Sequence, residues 1–152
     1  MRRPRILALI AVAVVLFLAV SALLARAFSA DGAERSAITS LIEAEARGDQ
    51  SAMVDRINGC GASAACRARV SSDVATLQHP GAVSIIQLQP STGFSLTGTL
   101  GTARVAWNVG SSLPIVQCVR VRRTGNVLRG LRVELLKISR RIKSDADCPA
   151  RY

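Results

Sequence analysis

The sequence has few of the side chains on which most catalytic and nucleic-acid-binding sites depend. It contains one His, one Tyr, one Trp and three Phe. The single His, His79, stands before Pro80, where a capping or loop role is expected rather than proton transfer. No aromatic residue lies near Arg120, Arg122 or Arg123, although aromatic stacking is a main source of affinity for single-stranded nucleic acid. These absences argue against acid–base catalysis and against nucleic-acid binding.

Charge is absent from the run ILALIAVAVVLFLAVSALLA, which extends from Ile6 to Ala25. At about 1.5 Å per residue, a helix of this length covers about 30 Å, the thickness of the hydrocarbon core of a bilayer. Arg2, Arg3 and Arg5 precede the run, whereas only Arg26 follows it at once. This asymmetry predicts a cytoplasmic N-terminus and an exported remainder.

A cleaved signal peptide is the alternative to an anchor, because Ala25-Arg26-Ala27 has the small-x-small form of a cleavage site. The apolar run, however, is longer than the about 7 to 15 residues of a signal h-region, and an Arg lies inside the site. No Cys occurs before Cys60, which argues against a lipoprotein anchor. We therefore expect an uncleaved single-pass protein of the cell membrane with an extracytoplasmic C-terminal domain.

All four cysteines lie beyond the apolar run, on the side of the membrane where disulfides persist. Four cysteines allow three pairings. Cys60 and Cys66 enclose a short Gly/Ala/Ser loop and favour a local bridge, which leaves Cys118 with Cys148. A zinc site is the functional alternative, but the C-x5-C spacing and the single His do not match known ligand patterns. We predict no metal ligand.

Helical periodicity follows the apolar run. From Ala33 to Arg47 the stripe Ile38, Leu41, Ile42 and Ala46 indicates an amphipathic helix, with Glu43, Glu45 and Arg47 outside the stripe. Gly48 fits a helix end and Asp49 the N-cap of a second helix, Ala52 to Ile57. A third helix carries apolar residues from Cys66 to Leu77 and ends before His79-Pro80-Gly81.

The period changes to two from Val83 onward, which predicts strands. Five segments rich in β-branched residues are separated by turn residues: Val83 to Leu88, Phe94 to Leu100, Thr102 to Val109, Ile115 to Thr124 and Val127 to Ile138. Helices followed by an antiparallel meander indicate an α+β fold in which the sheet curls around the helices. These strands contain one acid, Glu134, and no His or Tyr, so no catalytic residue or cofactor-binding residue is predicted.

The last two strands predict a cluster of cations. A two-residue turn at Gly125-Asn126 with a bulge at Gly130 would pair Val121 with Leu131 and Val119 with Val133. In that register Arg120 lies opposite Arg132, with Arg122 and Glu134 on the same face. We therefore expect Arg120, Arg122 and Arg132 to bind an anion or a partner, and Glu134 to form a surface ion pair.

The charge distribution agrees with an anionic partner. Residues 104–152 contain eleven Arg or Lys and three acids, whereas residues 27–79 contain five Arg and seven acids. A one-sided distribution of this kind is typical of proteins that bind anions. The alternative is an ordinary solvated surface in an Arg-rich protein, since Arg outnumbers Lys eighteen to two.

An amphipathic helix, the segment ARGDQSAMVDRI with its Gly-Asp break, and a short helix before the strands resemble the nuclear-transport-factor-two-like, or cystatin-like, domains of exported bacterial proteins. The resemblance covers roughly Ala33 to Ile142. The single anchor and four cysteines are similar to small membrane-anchored proteins of high-GC actinobacteria. The resemblance implies a cone-shaped roll that can hold a pocket, and it implies no activity because the fold supports many functions.

The expected organisation has five parts: a cytoplasmic N-terminus at 1–5, a transmembrane helix at 6–25, a linker at 26–32, an exported domain at 33–143 with helices in 33–79 and strands in 83–138, and a tail at 144–152 pinned by a disulfide. The leading function is a noncatalytic envelope module that binds an acidic protein or an anionic envelope component. One alternative is an assembly subunit resembling type IV secretion scaffold proteins. The other is a small-molecule pocket protein or enzyme on the same roll.

Overall fold

Helices come first and strands follow in the computed structural model, which describes residues 2–91, 97–126, 130–143 and 148. The elements are α1 (Arg2–Arg47), α2 (Gln50–Arg56), α3 (Ala64–Leu77), β1 (Val83–Gln89), β2 (Thr97–Val109), β3 (Ile115–Asn126) and β4 (Gly130–Ile138). The four strands form one antiparallel sheet in the order β1-β2-β3-β4. The predicted α+β class is therefore confirmed.

The N-terminal helix α1 is 46 residues long and joins the apolar run to the domain without a break. Among the described residues it is the one helix long and apolar enough to cross a membrane, and its apolar part is not buried in the molecule. Residues 26–32, predicted as a linker, are helical. Ala30 is already buried, so the domain begins within about 8 Å of the end of the apolar run.

Both short helices begin at the caps that their sequences provide. The Asp49 carboxylate accepts a hydrogen bond from the Ala52 N–H at 2.9 Å, and the Ser63 hydroxyl accepts one from the Cys66 N–H at 3.2 Å. Gly48 ends α1 with φ of +76°, a conformation that favours glycine. The predicted boundary between α1 and α2 is confirmed, while α2 and α3 each begin two residues earlier than the periodicity indicated.

The sheet has one strand where the sequence predicted two. The predicted strands on either side of Gly101 are a single strand, β2, and residues 94–96 of the first lie outside the described residues. Gly101 is not a turn: a Cβ there would collide with the backbone oxygen of Ser91. A glycine inside a strand often marks such a close approach of another backbone segment.

The predicted register of the last hairpin is wrong. Asn126 pairs with Gly130, so the connection is longer than two residues, and Val121 pairs with Leu135 instead of Leu131. Arg120 pairs with Lys137 rather than with Arg132, and the irregularity lies between Arg120 and Val121 rather than at Gly130. From Val121 toward the turn the displacement is four residues, which is even, and before Val121 it is five residues, of which the irregularity absorbs one. Each side chain therefore stays on its predicted face of the sheet.

The inner face of the sheet packs on the helices and forms the core. The apolar stripe predicted for α1 is buried, and Trp107, Val105, Val119 and Val121 meet it from the sheet. Each such side chain, once fully buried, contributes about 1.5 to 3 kcal/mol to folding. Trp107 has no exposed surface and is among the largest side chains of the core.

Two disulfides join the cysteines as predicted. Cys60 and Cys66 are bonded with their Cα atoms 5.2 Å apart, and Cys118 and Cys148 with theirs 5.7 Å apart. The first closes the loop between α2 and α3. The second attaches the C-terminal tail to the outer face of β3, while residues 144–147 and 149–152 of that tail lie outside the described residues.

Candidate functional site

The outer face of the sheet collects the basic residues of the C-terminal half. Among the residues that the structure describes, strand alternation and cross-strand pairing put five cations and one acid on this face: Arg104, Arg120, Arg122, Arg132, Lys137 and Glu134. We call these six residues the basic face. The helices cover the opposite side of the sheet, so the basic face is directed away from the core.

The three arginines predicted as an anion site lie on this one face, although not in the predicted arrangement. Arg120 and Lys137 are paired positions, with Thr102 of β2 next to Arg120 in the same row. Arg122 and Glu134 form the next row, and their side chains make an ion pair at 3.5 Å. Arg132 lies one further row along, opposite Thr124. The structure therefore places cations in three successive rows across β3 and β4.

Arg123 does not belong to the basic face. Its side chain points into the molecule, where it is 2 % exposed and contacts two acids of α1. Its Nε atom donates to Glu34 Oε2 at 2.8 Å, and its Nη2 atom donates to Asp31 Oδ1. Glu34 Oε1 also accepts a hydrogen bond from the Ser91 N–H at 2.6 Å. These contacts tie α1, β3 and the end of β1 together.

The charge of Arg123 is stabilised where it lies. Burial alone lowers the pKa of the guanidinium, but the hydrogen bonds to Glu34 and Asp31 outweigh that cost and raise the pKa above its ordinary value. Strand alternation carried the signal for this position: Arg123 is in phase with Val119 and Val121, which are buried, and out of phase with Arg122. No partner for Arg123 was predicted from the sequence.

A second buried polar cluster surrounds Glu45, which the sequence placed outside the apolar stripe. Glu45 has no exposed surface, and its Oε1 atom accepts a hydrogen bond from Gln117 Nε2 at 2.8 Å. Gln117 Oε1 accepts one from Trp107 Nε1, also at 2.8 Å, and Gln117 Nε2 donates to the Ser139 backbone oxygen at 3.2 Å. Within the described residues Glu45 Oε2 has no hydrogen-bond partner.

Burial controls the ionisation of Glu45 and of its neighbour Asp73 on α3. Burial raises the pKa of Glu45 to about 8, opposed by the hydrogen bond from Gln117 and assisted by the charge of Asp73. Burial likewise raises the pKa of Asp73 to about 6, against the lowering effect of Arg69 and Arg140. Perturbed acids often mark catalytic sites. Here Glu45 lines none of the four cavities that the structure describes.

A cavity between the Cys60–Cys66 loop, α3 and β4 has a volume of about 390 Å³. Its charged lining residues are Arg69 and Lys137, both cations, and it lacks a carboxylate or an imidazole. The Ser63 hydroxyl at its edge is occupied as the N-cap of α3. The cavity therefore has no pair of groups that could act as acid and base.

The part of the chain that the structure describes contains neither a candidate metal site nor a free thiol. No group of three or more His, Cys, Asp or Glu side chains is placed to hold a metal ion there. All four cysteines are in disulfides. Comparison with protein-family models, with curated proteins and with solved structures gives no match for this chain. The arrangement of the chain's own residues is therefore the basis for a proposed function.

Proposed function

We propose that this chain is a membrane-anchored, extracytoplasmic interaction module that binds an anionic component of the cell envelope through the basic face. The observation that supports it best is the row formed by Arg120 and Lys137, two cations in paired positions of β3 and β4. A row of cations on the outer face of a sheet produces a positive potential that attracts carboxylate or phosphate groups.

The anchor and its orientation belong to the same proposal. An uncharged run from Ile6 to Ala25, preceded by three arginines, supports an N-terminus in the cytoplasm and a domain outside it. Two disulfides are consistent with an oxidising compartment. We also propose that the domain is a roll of the cystatin-like class, which the order of three helices and an antiparallel meander supports.

A binding experiment tests the basic face. The full-length protein is placed in nanodiscs of phosphatidylcholine, which carries no net charge, and titrated with fluorescent poly-glutamate at rising salt concentration. We expect binding that weakens with salt, because screening shortens the reach of surface charges to about 8 Å at physiological ionic strength. The double substitution Arg120→Gln with Lys137→Gln should reduce the affinity several-fold.

The matched control is Arg47→Gln with Arg67→Gln, which removes the same charge from exposed positions of α1 and α3. This control should bind poly-glutamate nearly as well as the parent. Equal affinity of the two double variants would show that net charge, and not the basic face, determines binding.

A further inference from the structure

Contacts at two positions along α1 determine how β3 is aligned with this helix. Near the apolar run Arg123 pairs with Glu34, and further along α1 Gln117 donates to Glu45. Glu45 lies about 16 Å beyond Glu34 at the rise of an α-helix, and Gln117 lies about 20 Å from Arg123 at the rise of a strand. The two spans are similar, so β3 runs beside α1 in the opposite direction.

The contacts of β1 give the same alignment independently. The backbone N–H of His79, before β1, donates to the Ala46 oxygen at 3.0 Å, whereas Ser91, after β1, is bound by Glu34. The end of the sheet that contains Ser91 and Arg123 is therefore the end nearest to the apolar run. The connection between β2 and β3 lies at the far end.

The distance from this end to the membrane follows from the helix. Glu34 is about 13 Å beyond Ala25, where the apolar run stops. From Arg123, β3 continues toward the membrane for about 10 Å to Asn126, which pairs with Gly130. Asn126 and Gly130 thus lie within about 5 Å of the level at which the apolar run ends. The headgroup layer of one leaflet is about 5 to 7 Å thick, so this end of the hairpin reaches it.

We propose that Arg132, the most membrane-proximal cation of the basic face, binds the headgroups of anionic phospholipids in the leaflet beside the domain, with Arg122 in the next row adding to the local positive charge. The inference rests on the membrane anchoring in the proposed function and names the bilayer as the anion at this end. Arg132 pairs with Thr124, which follows Arg123 in β3. Arg132 is therefore about 3 Å closer to the membrane than Arg123. Its side chain is exposed, and arginine side chains extend several ångströms toward an interface.

The continuous helix α1 holds the end of the β3–β4 hairpin next to the bilayer. Because α1 has no break between Ala25 and Glu34, and Glu34 is bonded to Arg123, the hairpin cannot rotate freely away from the bilayer. Arg122 is shared between Glu134 and solvent, with 49 % of its side chain exposed. Its charge therefore adds to the positive potential that Arg132 presents to the headgroups. The row of Arg120 and Lys137 lies further from the membrane.

Site-specific photocrosslinking of the full-length protein tests the inference. Benzoylphenylalanine replaces Thr124 in one variant and Ser84 in another, and each is reconstituted in vesicles of phosphatidylcholine and phosphatidylglycerol. Both positions carry a hydroxyl side chain on the outer face, but Ser84 pairs with Asn108 at the far end of the sheet. We expect lipid adducts at position 124, enriched in phosphatidylglycerol, and almost none at position 84.

The arginines are then removed in the position-124 variant. Arg122→Gln with Arg132→Gln should reduce the preference for phosphatidylglycerol by about fivefold through Arg132, with a smaller further reduction through Arg122, whereas Arg47→Gln with Arg141→Gln should leave it unchanged. Equal lipid adducts at both positions, adducts at position 124 with protein instead of lipid, or no effect of the first pair of substitutions would each overturn the inference. The poly-glutamate experiment uses uncharged nanodiscs and tests Arg120 and Lys137. A negative result there would contradict the proposed function, whereas a negative result in the lipid crosslinking would contradict only the contact with the bilayer.

Discussion

Arg123 shows how a single buried charge can determine the arrangement of the whole chain. Desolvating a guanidinium and a carboxylate costs several kcal/mol for each ion, so such a pair persists only when its hydrogen bonds are complete. Here Glu34 accepts hydrogen bonds from the Arg123 Nε atom and from both the N–H and the hydroxyl of Ser91. The pair therefore specifies which residues of α1 meet the end of the sheet.

Removing the charge of Arg123 should destabilise the domain severely. Arg123→Gln would leave the Glu34 carboxylate buried without a counter-charge, and loss of one partner of a buried pair costs about 3 to 5 kcal/mol. Denaturant unfolding of the protein in detergent, followed by circular dichroism, measures the loss. Arg122→Gln on the opposite face is the control and should change stability by about 1 kcal/mol, since its ion pair with Glu134 is partly exposed. Equal losses would refute the assignment of Arg123 to the core.

Glu45 predicts how stability depends on pH. Its pKa of about 8 in the folded protein exceeds its ordinary value of 4.5, so the folded state keeps a proton that the unfolded state releases. The stabilisation is therefore complete below pH 4.5 and is lost as the pH rises toward 8, at no more than about 1.4 kcal/mol per pH unit. Asp73, with a pKa of about 6, adds to the loss in the lower part of this range.

Substitution of Glu45 measures how much of the pH dependence of stability is due to this residue. Glu45→Gln should match the parent protein at pH 5, because an amide resembles a protonated carboxyl and still offers an oxygen to Gln117. At pH 8 the variant should be more stable than the parent by an amount on the order of 1 to 3 kcal/mol. Thermal unfolding at the two pH values measures both differences. A variant whose stability falls with pH as steeply as that of the parent would show that Glu45 is not the group responsible.

At the scale of the elements, the disulfides differ in how much chain they constrain. The bond between Cys118 and Cys148 closes a sequence separation of 30 residues, and that between Cys60 and Cys66 closes one of 6. Loop-closure entropy assigns them about 3 to 4 and about 2 kcal/mol respectively. Only the longer one attaches the tail to the sheet.

Removing the longer disulfide should therefore have the larger effect. Cys118→Ala with Cys148→Ala should lower the free energy of unfolding more than Cys60→Ala with Cys66→Ala, by about 1 to 2 kcal/mol. Denaturant titration under non-reducing conditions measures both variants. Peptide mapping of the parent without reductant is the accompanying check, and a peptide linking Cys60 to Cys118 would contradict the pairing.

Local patterns in the sequence predicted the elements well and their mutual arrangement poorly. The apolar stripe of α1, the Gly48 and Asp49 boundary and the faces of β3 depend on neighbouring residues alone. The hairpin register depends on which pair closes the loop, and Asn126 with Gly130 replaced the predicted two-residue turn. Gly101 looks like a turn residue until Ser91, which approaches it closely, is known.

Charged residues of the core were the least predictable feature. Glu45 and Arg123 have partners that are 72 and 89 residues away in the sequence, Gln117 and Glu34 respectively. A polar residue in phase with the core can be predicted to be buried only if its hydrogen-bonding partner is known. No local pattern in the sequence identifies a partner so far away. The composition of the site on the outer face was predictable because strand alternation alone assigns it. Its pairing was not.

At the scale of the whole molecule, one helix connects the apolar run to the core. Ile38 and Leu41, which belong to the core, are part of the same helix as the apolar run from Ile6 to Ala25. A displacement of the apolar run along its axis is therefore transmitted to the sheet, because no break in the helix separates the two. The position of the domain relative to the bilayer follows from helix length, on the condition that the chain crosses the membrane in the proposed direction.

Topology is accordingly the last prediction. Because three arginines precede Ile6 and all four cysteines follow Ala25, the N-terminus should be cytoplasmic and the C-terminus extracytoplasmic, with no cleavage. Alkaline phosphatase fused after Tyr152 should be active, since it requires an oxidising compartment, and a cytoplasmic reporter fused at the same position should be inactive. Replacing Arg2, Arg3 and Arg5 by Ser, as the matched control, should reduce the fraction of chains in this orientation. A mature protein that begins at Phe28 would show a cleaved signal peptide instead, and the bilayer contact of Arg132 would then be absent.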